Sequence, residues 1–74
     1  MNRTELVKDI RQVTGCGGMI SKSQLARYLG KSRNGSREVN AYLEGLSYIP
    51  DGRGNKYYVM DVAARLLDNT VRGL

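Results

Sequence analysis

The sequence contains no histidine, no tryptophan and no phenylalanine, and has one cysteine and one proline in 74 residues. Without an imidazole there is no His-based triad, no imidazole metal ligand and no side chain that ordinarily titrates near neutrality. The lone Cys16 excludes an internal disulfide and suits a reducing compartment, so a cytoplasmic location is expected. No run approaches the ~20 apolar residues of a membrane span. The charged, amphipathic stretch from Asn2 carries no signal-peptide pattern. A membrane partner is therefore not expected. Carboxylates are also missing from one long interval: no Asp or Glu lies between Asp9 and Glu38.

What is present is a globular composition, 41% hydrophobic and 26% charged, which argues against disorder. The length fits one domain, residues 1–74. A chain this short buries only roughly 60% of its unfolded surface, so its core is thin. Twelve Lys+Arg against seven Asp+Glu give a formal charge of +5. The carboxylate-free interval holds Arg11, Lys22, Arg27, Lys31, Arg33 and Arg37, and a smaller basic group, Arg53 and Lys56, follows in a glycine-rich segment. Any one of these residues taken alone is best read as an ordinary solvated cation. Together they leave positive potential that is not cancelled locally, for which a polyanion is the natural partner.

Periodicity supplies the elements. Leu6, Ile10 and Val13, with Val7 widening the stripe, predict an amphipathic helix over 2–14, capped by Asn2 or Thr4 and ended by Gly15. Met19-Ile20 is a short β-prone run. Ser21 and Gln24 have the capping-box spacing, and Leu25, Ala26 and Leu29 make a second helix that Gly30 stops. A third helix starts at Ser32 or Ser36, the latter preferred, with Val39, Tyr42, Leu43 and Leu46 inward and Gly45 at its end. Tyr48-Ile49 and Lys56–Val59 flank a Pro50–Asn55 turn and predict a hairpin. Val62, Leu66 and Leu67 predict a last helix over 61–72, with Asp61 near its positive end.

The expected fold class is therefore α+β, mostly helical: helix, short strand, helix-turn-helix, hairpin, C-terminal helix. That order is a winged helix-turn-helix. Ala26 is small where two helices would cross, and Gly30 supplies the positive φ of a sharp inter-helix turn. The third helix would then enter a major groove. Its candidate DNA-reading residues, with the preceding turn, are Arg33, Asn34, Ser36, Arg37 and Asn40. Arg37 can pair bidentately with guanine, and Asn34 or Asn40 with adenine. Ser21, Lys22, Ser23, Arg27 and Lys31 are candidates for phosphate contacts that fix register. At the wing the candidates are Arg53, Asn55, Lys56 and Tyr58.

From Ile20 to Leu67 the sequence resembles the winged-helix group containing MerR-type regulators and the excisionases of phages and mobile elements. The resemblance rests on Ser21-Gln24-Leu25-Ala26-Leu29-Gly30, Tyr42-Leu43-Gly45-Leu46, Gly54-Asn55-Lys56-Tyr57-Tyr58 and Asp61-Val62-Ala63-Arg65-Leu66. The span from Gly30 to Leu46 is about two residues longer than the usual MerR-type spacing. With so few residues after Leu67, the long dimerisation coil of MerR-type activators is not expected. The resemblance thus implies an excisionase-like accessory protein that bends attachment-site DNA beside an integrase, as a monomer or a weak cooperative assembly on DNA. A small transcriptional regulator of a phage or integrative element is the alternative, and a winged-helix adaptor for protein partners is a further one.

No enzyme is expected. Gly15-Cys16-Gly17-Gly18 and Gly52-Arg53-Gly54 lack the Gly-Lys-Ser/Thr of a phosphate loop, and Asp51, Asp61 and Asp68 lack a metal-loop spacing. No catalytic, cofactor or metal site follows from these residues. Of the five tyrosines, Tyr42 and one of Tyr57 and Tyr58 are expected in the core, and the tyrosine sharing a strand face with Lys56, Tyr58, is the better DNA contact.

Overall fold

The computed structural model describes residues 1–31, 36–52 and 54–70, with nothing assigned to the Ser36 side chain. In chain order the elements are α1 (Arg3–Thr14), β1 (Met19–Ser21), α2 (Lys22–Tyr28), α3 (Ser36–Leu43), β2 (Tyr48–Asp51), β3 (Gly54–Tyr58) and α4 (Val59–Asp68). This is a small α+β fold with an antiparallel sheet in the order β1-β3-β2.

Local chemistry sets the boundaries. Asn2 and Glu5 form a reciprocal capping box that opens α1, and the Gly15 N–H, at φ 74°, closes it on the Arg11 carbonyl at 2.8 Å. Ser21 and Gln24 repeat the capping box at α2. Gly30, at φ 71°, ends that helix in a Schellman turn: its N–H reaches the Arg27 carbonyl at 3.1 Å, and the Lys31 N–H reaches that of Ala26 at 2.8 Å. The α1 stripe is rotated from expectation. Leu6, Ile10 and Thr14 are buried, whereas Val13 is 56% exposed. The Thr14 hydroxyl accounts for its own burial, donating to the Ile10 carbonyl at 2.7 Å and accepting from the Cys16 N–H at 3.3 Å.

The hairpin is tighter than the sequence implied. Pro50 pairs with Asn55 and Asp51 with Gly54, so these residues belong to strands rather than to a long turn. Pro50 is tolerated because β2 is an edge strand, where a missing N–H costs least. Gly52 takes the positive φ, 60°, that the sharp reversal needs. Val59 is not the last strand residue; it starts α4, two residues before the expected Asp61, and its N–H extends the pairing to the Gly18 carbonyl at 3.0 Å. The described helix ends at Asp68 and the expected Arg72 lies outside the described residues.

The β1–β3 pairing is the long-range link. Ile20 faces Tyr57 across it, and Tyr57 faces Tyr48 across the hairpin. The covered face of the sheet joins a core that draws on every helix: Ile10, Ile20, Leu25, Val39, Val59 and Val62 are fully buried. Each such aliphatic side chain stabilises the fold by about 1.5–3 kcal/mol relative to exposure. Leu66 and Leu67 are only half-buried against this cluster, and Ala63 is buried in their place. A side-chain bond ties α1 to α2: the Tyr28 hydroxyl donates to Asp9 at 2.6 Å. Burial first, then the Asp9 carboxylate, pushes the Tyr28 phenol up to about 12.

Candidate nucleic-acid interface

Helix α3 is amphipathic. Val39 and Leu43, one turn apart, are buried. Arg37, Asn40, Ala41 and Glu44 fall at i, i+3, i+4 and i+7 on another face and are exposed. That stripe forms one wall of an open groove of about 580 Å³; Tyr48 and Tyr57 of the hairpin line the other. The two tyrosine rings lie 5.9 Å apart between centroids, tilted by 48°.

Two contacts fix α3 from outside. At its C-terminal end, Nη1 of Arg65 on α4 donates to the carbonyls of Glu44 at 2.9 Å, Tyr42 at 3.3 Å and Ala41 at 3.5 Å. A cation placed on orphan carbonyls satisfies them and complements the negative end of the helix dipole. Near its N-terminal end, Glu38 forms an ion pair with Lys31, the residue that follows the α2 turn. The hydrogen bond and charge of Glu38 raise the Lys31 pKa. Among the described residues, Arg37 makes no ion pair.

The sequence-predicted residues separate into groups. The structure brings Arg37 and Asn40 together on the groove wall. Arg33, Asn34 and the wing-tip Arg53 lie outside the described residues, as does the Ser32 alternative for the helix start. Ser36 is the first described residue of α3 and is already helical. On α2, Ser21 has its oxygen engaged as the N-cap acceptor for the Gln24 N–H at 3.1 Å. Lys22 is half-buried, whereas Ser23 and Arg27 are exposed one turn apart. Arg27 sits in the last turn of α2. Lys31 is exposed but shares its charge with Glu38, which a phosphate would have to displace. In the hairpin, Asn55 and Lys56 are half-buried and Tyr58 is 44% exposed.

Three residues of this region escaped the sequence reading: Tyr48, Glu44 and Arg65. Tyr48 had a signal, because closing the hairpin with Ile49 opposite Lys56 pairs Tyr48 with Tyr57. Arg65 had none, since its partners lie more than twenty residues away. Among the described residues no group of His, Cys, Asp or Glu is placed to hold a metal ion, and no helix is long and apolar enough to cross a membrane. Comparison of the chain with protein-family models, with curated proteins and with solved structures finds no match.

Proposed function

We propose that this chain is a double-stranded DNA-binding module of the winged helix-turn-helix type, with α2 and α3 as the helix pair and the β2–β3 hairpin as the wing. The observation that carries the reading is the setting of α3. Val39 and Leu43 anchor one side, Arg65 holds its end, and Arg37 and Asn40 face solvent beside the β2–β3 hairpin. A helix so held fits the major groove, where Arg37 reads guanine and Asn40 adenine while the hairpin follows the backbone or the adjoining minor groove. The net charge of +5 supplies the sequence-independent attraction.

The role proposed for the module is that of an excisionase-like accessory factor, bending attachment-site DNA for an integrase-type recombinase. Its support is the resemblance of the residues from Ile20 to Leu67. The test is a gel-shift titration on duplexes recovered from a random pool, repeated at two ionic strengths. Log K should fall with log salt by about 0.9 for each phosphate neutralised. The retarded complexes should then show bending by circular permutation. Affinity for protein partners that ignores salt, with no affinity for DNA, would overturn the proposal.

A further inference from the structure

The hairpin offers two exposed tyrosines, and they point to opposite faces of the sheet. Ile20, Tyr57 and Tyr48 stand opposite one another along the ladder and share the covered face, while Lys56 and Tyr58 fall on the reverse. Tyr48 remains 53% exposed although it is on the core side, because it lies at the sheet margin over the groove wall rather than over the core. Arg37 and Asn40 line the same groove.

We infer that the groove between α3 and the hairpin is the seat of one sugar-phosphate strand of a DNA duplex, and that Tyr48 is a phosphate contact within it. The inference rests on the DNA-binding reading above. A helix in the major groove and a hairpin over the flanking groove necessarily straddle the backbone strand that separates the two grooves. The groove walls suit that occupant. The Tyr48 phenol presents a neutral O–H donor and an apolar ring edge for deoxyribose, while Arg37, directed at a base edge in the adjoining major groove, adds positive potential along the path of the strand. Glu44, two turns of helix from Arg37, is an acceptor that repels phosphate. The strand therefore runs past the Arg37 end and leaves the groove before Glu44.

The experiment is fluorescence anisotropy with a labelled duplex two helical turns long, about 20 base pairs, titrated at several salt concentrations with the full chain. Tyr48→Phe keeps the ring against Tyr57, so its thermal melt should match the wild type. It should bind on the order of tenfold more weakly, the loss of a hydrogen bond to a charged group, and do so on every sequence. The slope of log K against log salt should not change, because a neutral hydroxyl displaces no counterion. Unchanged affinity for Tyr48→Phe, or a changed slope, overturns the contact. A wild-type chain that binds no duplex at any salt overturns the DNA-binding reading itself, a result distinct from the others.

Discussion

Nη1 of Arg65 lies 2.9 Å from the Glu44 carbonyl oxygen, so a cation on α4 closes the open end of α3. The helix that carries the proposed reading face is thus held by a residue that has no place in that face. Replacing Arg65 with Met keeps the half-buried stem and removes the donor. The loss should be about 1–2 kcal/mol of stability, the range for a cation at helix-end carbonyls. Urea melts give the magnitude, and amide exchange should speed up in the last turn of α3 before it does in α1. Exchange unchanged in α3 would contradict the capping role.

Leu43 is the core residue on which α3 turns, and it is 4% exposed. Leu43→Ala should cost about 2–5 kcal/mol, much of the few kcal/mol available to a domain of this size. A cooperative melt left at the wild-type midpoint would place Leu43 outside the core.

How much of this was legible beforehand differs by element. The capping box at Ser21, a cap for α1 at Asn2 or Thr4, and the stops at Gly15, Gly30 and Gly45 were readable because each is decided within a few residues. So was the inward set of α3. The face of α1 was misjudged at Val13, since the choice between Val13 and Thr14 depends on which neighbours cover the helix, and periodicity does not supply neighbours. The α4 start was missed for a related reason: Val59 has strand propensity and its N–H still reaches the Gly18 carbonyl, yet it is already the first residue of α4. On the groove, Arg37 and Asn40 followed from helical spacing, whereas Arg65 reaches α3 only through tertiary packing. Tyr58 was weighed against Tyr57 alone, because β3 read without the strand beside it does not bring Tyr48 into view.

The Tyr28–Asp9 bond carries a pH dependence whose sign follows from the phenol. Its pKa is raised in the folded chain from 10.0 to about 12, so folding favours the neutral form. The associated stability is fully present below pH 10.0 and is lost as pH rises toward about 12. Absorbance titration should show a phenol phase near pH 12 that Tyr28→Phe removes. Tyr28→Phe should also cost about 1 kcal/mol at neutral pH, the ordinary net value of such a bond. A phase near pH 12 that survives Tyr28→Phe, or no such phase in the folded protein, would contradict the assignment.

Glu38 is a carboxylate on the proposed DNA-binding helix, and its pairing with Lys31 withholds a cation from phosphate. Glu38→Gln should therefore tighten duplex binding and steepen the salt dependence by about 0.9 in log K per unit log salt, one further phosphate neutralised. An unchanged slope would mean that Lys31 stays away from the backbone.

Arg37→Ala should weaken binding to the selected duplex by about 1–3 kcal/mol and reduce discrimination against random sequence. Equal losses on selected and random duplexes would make Arg37 a backbone contact instead of a base reader.

The most direct measurement is an amide chemical-shift map of the isotope-labelled chain titrated with duplex DNA at low salt. Perturbations concentrated on Arg37, Asn40 and Tyr48, along the two walls of the groove, are the predicted result. Perturbations confined to α1 and the outer side of α4, or none at all, would contradict it.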